Sequence, residues 1–122
     1  MSRAAALGLA WLAAAPALAE SYDCAWTSEC FGPYGCEETS YDTTLTDDGG
    51  DWVFSGVAGD APVQEMTPEG ETAARLFLVP PTEYDSAMTM LTIDARGEAA
   101  FTQHGTLDGT SVVTYFGRCE AG

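Results

Sequence analysis

The sequence contains four cysteines, the residues with the clearest potential for chemistry. Cys24, Cys30 and Cys36 are spaced C-x5-C-x5-C, and Cys119 lies close to the other end of the chain. This is not a usual zinc spacing, and no histidine lies near the first three. We therefore expect no metal site and no cofactor. An even number of cysteines predicts disulfides, provided that the chain enters an oxidising compartment.

The N-terminal segment has the features of an export signal. Arg3 precedes an apolar run over residues 4–15, Pro16 ends the run, and Ala17-Leu18-Ala19 places small residues before a cleavage point. We predict a signal peptide over residues 1–19 and a single exported domain over residues 20–122. The run is shorter than a bilayer span, and Glu20 occupies the position where a lipoprotein has cysteine. We expect a soluble mature chain that is periplasmic or secreted, without membrane insertion.

The other side chains that could support catalysis do not form a recognisable motif. His104 is the only histidine, and we expect it to be a surface residue near a strand end. No Gly-x-Ser-x-Gly sequence is present, and bridged cysteines leave no thiolate nucleophile. Carboxylates are numerous, but no pair stands out as the acid and base of a hydrolase. The run Asp47–Asp51, with two glycines, is more typical of a turn than of a calcium loop.

Short β-type runs separated by Gly, Pro and Asp predict a single all-β domain with mostly antiparallel neighbouring strands. Turns are expected at residues 47–50, 94–97 and 107–109, and Pro80-Pro81 is expected to end a strand. Seven or eight strands in about a hundred residues are typical of a small barrel or a sandwich. The predicted strands span residues 22–27, 40–46, 52–57, 73–79, 88–94, 99–104 and 110–117, with a possible short edge strand near 63–66 in an otherwise irregular stretch over 59–71.

Alternation along these runs indicates the core and, with it, the disulfide pairing. Cys24 and Cys119 are each in phase with aromatic residues of their own strands, so both are expected to point inward. Residues 31–35 contain two glycines and a proline, which let the chain fold back between Cys30 and Cys36. We favour Cys24–Cys119 with Cys30–Cys36 over pairings of Cys119 with Cys30 or Cys36. The other expected core residues are Tyr22, Trp26, Trp52, Phe54, Leu76, Leu78, Leu91, Ile93, Phe101, Val113 and Tyr115. The run over residues 73–79 is apolar almost throughout, which leaves the inward face of that strand open.

The charge balance bears on partners. The chain has 19 acidic residues, no lysine and a formal net charge of −15, and only Arg75, Arg96 and Arg118 are basic after residue 20. Such a chain repels nucleic acid and anionic lipid. A basic protein is the partner class that this charge favours, and we expect the chain itself to be a monomer. Tyr34 and Tyr84, each in a predicted loop, are the candidate contact residues.

Short motifs near the two ends of the chain resemble those of two groups of exported proteins. Tyr22-Asp23-Cys24 and Cys119, with short strands between them, resemble the periplasmic C-type lysozyme inhibitors, which implies a bridge between the early and late cysteines. In that family a loop with Ser-Gly and Tyr enters the lysozyme active site; Ser55-Gly56 is present here, but no tyrosine follows closely. The ending over residues 114–120 and the C-x5-C-x5-C start are similar to small uncharacterised exported bacterial disulfide-bonded β proteins.

These observations predict an exported acidic binding module rather than an enzyme. Two alternatives remain open: an envelope structural or stress protein without a specific ligand, and a carboxylate-based hydrolase. A deep pocket with two buried carboxylates would favour the hydrolase, and a flat acidic or aromatic-rimmed patch would favour the binder.

Overall fold

The structure, a computed structural model, describes residues 21–81, 87–105 and 111–122. Eight strands form one closed barrel, and every strand is antiparallel to its neighbours along the chain. The strands are β1 (Ser21–Phe31), β2 (Cys36–Asp48), β3 (Asp51–Gly56), β4 (Gly59–Glu65), β5 (Ala74–Val79), β6 (Met88–Asp94), β7 (Glu98–Gly105) and β8 (Ser111–Ala121). The all-β prediction is confirmed, and the choice between barrel and sandwich is decided in favour of the barrel.

Both predicted disulfides are present. Cys24 in β1 is bridged to Cys119 in β8, and Cys30 is bridged to Cys36 across the short connection between β1 and β2. No cysteine in the described chain is free. The first bridge joins the two strands at which the barrel closes, and the second ties the ends of a hairpin. Two disulfides indicate an oxidising location outside the cytoplasm.

The turns follow from their residues where the structure describes them. Gly49 and Gly50 both have positive φ in the two-residue turn between β2 and β3, a conformation that glycine adopts without steric cost. The turn between β6 and β7 ends at Gly97, also with positive φ, and β5 ends immediately before Pro80. The predicted turn at residues 107–109 lies outside the described residues.

Side chains fill the barrel interior. An eight-stranded barrel is just wide enough for its inward side chains to meet, and the largest of them are almost completely buried: Trp26, Leu45, Phe77, Leu91 and Phe101. Trp26 packs edge to face on Phe101 with ring centroids 4.6 Å apart, and its indole nitrogen donates a hydrogen bond to the Thr43 hydroxyl. The interior is therefore a packed core.

The predicted inward face of β5 is wrong. Leu76 and Leu78 were expected inside, but Phe77 and Val79 are the buried residues of this strand. Phe77 lies opposite Leu91 on β6, and directly paired residues project to the same face of a sheet. Because Leu91 points inward, its partner does too. Apart from Arg75, the run from Ala74 to Val79 is apolar. Arg75 is in phase with the inward Phe77 and Val79, so the residue types of this strand do not identify its inner face.

The segment expected to be irregular contains a strand. β4 begins at Gly59 and includes Pro62, which lies opposite Val53 of β3. Proline lacks a backbone donor, which disfavours it in a central strand. In β4 the conflict is avoided because pairing with β5 begins only at Gln64.

The structure contains no helix, among the residues it describes, that is long and apolar enough to cross a membrane.

Candidate functional site

The acidic residues are unevenly distributed around the barrel. Strands β1 to β4 contain ten of them, whereas β5 to β8 contain only Asp94, Glu98 and Glu120, all near the same barrel end. Among the described strands, the half formed by β1 to β4 is therefore strongly acidic, and the middle parts of β5 to β8 contain no carboxylate. Like charges that lie close together produce a stronger local potential than the same charges spread evenly over a surface.

The acidic half contains a groove on the outer surface of β8, β1, β2 and β3, with a volume of about 670 Å³. The strand register brings its charged residues together. Asp23 lies between Glu120 on β8 and Thr44 on β2, and Ala25, two residues along, lies between Arg118 and Asp42. Three carboxylates from three strands thus surround the small side chain of Ala25. The remaining groove residues near them are small or hydroxylated, among them Ser55 and Gly56.

The groove has the chemistry to accept a lysine or arginine side chain from another molecule. Its three carboxylates are opposed by one guanidinium, that of Arg118, and charge-assisted hydrogen bonds to carboxylates are stronger than neutral ones. An aliphatic stem would lie over Ala25 while the charged head reaches Asp23, Asp42 or Glu120. Within the described residues, no group of three His, Cys, Asp or Glu side chains is arranged to hold a metal ion.

A second cavity, of about 700 Å³, lies at one end of the barrel and is lined by all three arginines that follow residue 20. Four carboxylates line it as well: Glu65, Glu71, Asp94 and Glu120. Arg96 contacts Asp94 and Glu98 at the surface, and Arg118 donates to the backbone oxygen of Arg96. Since acidic groups outnumber basic ones here, the cavity does not favour an anionic ligand.

Arg75 has a structural role at this end. Its guanidinium makes two hydrogen bonds to the Glu65 carboxylate, at 2.7 and 2.9 Å, and one to the Tyr22 hydroxyl. Its central carbon also lies 5.0 Å from the centroid of the Trp52 ring and 5.3 Å from that of Phe77. The hydrogen bond from Arg75 lowers the pKa of Glu65, against the opposing effect of partial burial. Arg75 thus covers the aromatic core with a paired cation.

Of the two tyrosines expected to contact a partner, the structure describes Tyr34 but not Tyr84. Tyr34 lies in a 3-10 turn (Gly32–Tyr34) inside the loop closed by the Cys30–Cys36 bridge. Its side chain is 90% exposed, so it is available for contact. Tyr84 lies outside the described residues. His104 is exposed on the outer face of β7.

Sequence reasoning missed the groove because its carboxylates lie far apart along the chain. Asp23 and Glu120 become neighbours only because β1 pairs with β8. Their sequence neighbours gave one indication of where these carboxylates point. Asp23 precedes the inward Cys24 and Glu120 follows the inward Cys119, so both carboxylates project outward.

Comparisons of this chain with protein-family models, with curated proteins and with solved structures each gave no match. The site is therefore interpreted from its own geometry.

Proposed function

We propose that this protein is an exported acidic binding module that holds a basic protein through the groove on β8, β1, β2 and β3. The observation that carries the proposal is the convergence of Asp23, Asp42 and Glu120 around Ala25 in a groove of about 670 Å³. A partner would insert a lysine or arginine there. The exposed ring of Tyr34 lies at the other end of the β1–β2 hairpin and offers a separate contact to a partner large enough to reach it.

Electrostatics supports this partner class. With a net charge of −15 and no lysine, the chain attracts basic proteins at long range and repels anionic ones. Ions screen that attraction, since the Debye length is about 8 Å at physiological ionic strength. Association should therefore be fast at low salt and slow at high salt.

The burial and ionisation of the described carboxylates fit a binding function better than a hydrolase. A glycosidase-type general acid needs a carboxyl with a raised pKa, produced by burial. The only buried polar residues described are Thr43 and Thr89, and the pKa of Glu65 is lowered. An envelope structural protein without a specific ligand is expected to have uniform surface charge, whereas the carboxylates of the described strands are concentrated on β1 to β4.

Surface plasmon resonance against an immobilised C-type lysozyme, a basic protein, tests the proposal at two salt concentrations. The informative variant is D23N/D42N/E120Q, and D48N/D51N/E69Q is its matched control. Each removes three negative charges of the same types, but only the first alters the groove. The expected result is a loss of affinity of about tenfold or more in the groove variant and a smaller loss, mainly in association rate, in the control.

Equal losses in the two variants would show that only overall charge matters and would refute the groove as the binding site. No binding by the wild-type protein at low salt would exclude lysozyme as the partner. A panel of other basic proteins, tested with the same pair of variants, then decides whether the partner class itself is correct.

Export itself has a direct test. We propose that residues 1–19 are a signal peptide and that the mature, monomeric protein begins at Glu20 in the periplasm or the medium. N-terminal sequencing of protein recovered from both fractions should give Glu20 first. Membrane-retained protein beginning at Met1 would contradict this.

A further inference from the structure

Two methionines alternate along the outer face of β6. Thr89, Leu91 and Ile93 point into the barrel, so Met88 and Met90 point outward. Their side chains are 46% and 47% exposed, although methionine is usually a buried residue. Two large apolar side chains in the same phase on a solvent-facing strand have no role in the core.

The single histidine of the chain lies beside them. His104 on β7 is directly opposite Met88, and it projects outward because Ala99 and Phe101 of the same strand are buried. The three side chains share a groove of about 580 Å³. The other described residues that line it are Thr92, Ala100 and Thr102, so its described lining contains no carboxylate, lysine or arginine.

We propose that Met88, Met90 and His104 form a binding site for a soft monovalent metal ion, Cu(I). Thioether sulfur selects Cu(I) over harder cations, and imidazole is also a good copper ligand. All cysteines of the described chain are in disulfides, so thioethers are the soft sulfur ligands that remain available. None of the described residues that line the groove is a carboxylate, and this disfavours Ca²⁺ and Mg²⁺, which require oxygen ligands.

The backbone geometry permits three-coordinate binding. Directly opposed residues in an antiparallel pair have Cβ atoms about 4.5–5.5 Å apart, which applies to Met88 and His104. Met90 lies two residues along the same strand, about 7 Å from Met88. Methionine has three rotatable bonds and adapts to irregular spaces, so both sulfurs can reach one ion held beside the imidazole.

Met66 provides an internal control. It follows β4, and its side chain is 49% exposed. Its backbone N–H donates a hydrogen bond to the backbone oxygen of Leu76 on β5. Leu76 pairs with Thr92 of β6 rather than with Met88 or Met90. Met66 therefore has the same chemistry and exposure as the two β6 methionines but stands apart from the histidine. A role of exposed methionine in general would involve all three, whereas the proposed site involves only two.

The experiment is a titration of the purified, disulfide-bonded protein with Ag(I), a redox-inert substitute for Cu(I). Isothermal calorimetry measures the affinity and stoichiometry, and the methionine methyl signals in NMR spectra identify the residues that bind. Competition with a chromogenic Cu(I) chelator then gives the Cu(I) affinity. The expected result is one ion per chain, shifts of the Met88 and Met90 methyl signals, and a loss of affinity of at least tenfold in M88L/M90L and in H104Q. M66L should bind as the wild type does.

Each substitution is at an exposed position, so all variants should keep the wild-type thermal midpoint, which is checked first. Unchanged affinity in M88L/M90L or in H104Q, an equal loss in M66L, or no stoichiometric binding by the wild-type protein would overturn the proposal. The groove variant D23N/D42N/E120Q should keep its metal affinity, because its substitutions lie on β1, β2 and β8. The metal site and the proposed protein-binding groove can thus fail independently.

Discussion

Cys24 and Cys119 lie directly opposite each other on β1 and β8, with their Cα atoms 4.0 Å apart, at the seam where the barrel closes. They are 95 residues apart in sequence, whereas Cys30 and Cys36 are separated by 6. The first bridge therefore restricts nearly the whole unfolded chain, and the second restricts one short loop.

This difference predicts unequal effects of removing the two bridges. In the chain-entropy model the long loop contributes about 4–5 kcal/mol and the short one about 2 kcal/mol. We expect C24S/C119S to lower the urea midpoint about twice as much as C30S/C36S. Burial of Cys24 and Cys119 acts in the same direction. Equal shifts of the two midpoints would contradict the entropic account.

Gly117 is required where β8 passes the irregularity in β1 between Trp26 and Ser28. A Cβ atom at this position would overlap the backbone oxygen of Ala25 and the Cα of Trp26. We expect Gly117→Ala to destabilise the protein by about 2 kcal/mol, as overpacking does. Gly105→Ala is the control: its Cβ would meet only ordinary contacts, at 3.9 Å and beyond. Chemical denaturation of both variants measures the difference, and similar stabilities would show that the seam adjusts freely.

The pairing of Glu65 with Arg75 predicts a pH dependence. The folded-state pKa of Glu65 is lowered, chiefly by the hydrogen bond from Arg75. The stabilisation it contributes is present above the ordinary carboxyl pKa and is lost as the pH falls through the folded value. Glu65→Gln should cost about 1 kcal/mol at pH 7 and progressively less on acidification.

Glu98→Gln is the control for this pair. Glu98 contacts Arg96, whose side chain is 78% exposed, and exposed ion pairs contribute little. The free energies of unfolding of both variants are compared with that of the wild type at pH 7 and pH 3. A loss in Glu65→Gln that does not change with pH would refute the role assigned to its charge.

Tyr115 predicts a second pH dependence at the alkaline limit. Burial is the largest cause that raises the pKa of Tyr115, and the hydrogen bond with Glu29 and the charge of Glu29 add to it. Together they raise this pKa to about 12. A tyrosine whose pKa is raised on folding stabilises the protein below its ordinary pKa of about 10, and this stabilisation is lost as the pH rises toward the folded value. Tyr115→Phe should therefore flatten the decline in stability between about pH 10 and 12. Tyr34→Phe, at an exposed ring, should leave the decline unchanged; an identical effect of both would argue against a special environment at Tyr115.

The sequence carried enough local information for both disulfides and for every strand except β4, most of which lies in a segment expected to be irregular. Alternation with period two and turn residues such as Gly49-Gly50 are properties of a few neighbouring residues, so they can be recognised without the fold. The same alternation placed Cys24 and Cys119 on inward faces, and the turn residues between Cys30 and Cys36 indicated the second bridge. Where alternation was absent, as in β5, the inward face was predicted incorrectly.

The closure of the barrel and everything that depends on register were decided only by the tertiary structure. Asp23, Asp42 and Glu120 form one groove because β1 pairs with both β2 and β8, and Met88 meets His104 because β6 and β7 pair in one particular register. A shift of one residue would turn each of these side chains to the opposite face of its strand. Register is set jointly by turns, by the packing of the aromatic core and by the bridge between the first and last strands. The candidate sites therefore depend on contacts between distant residues, which the chemistry of each residue alone does not specify.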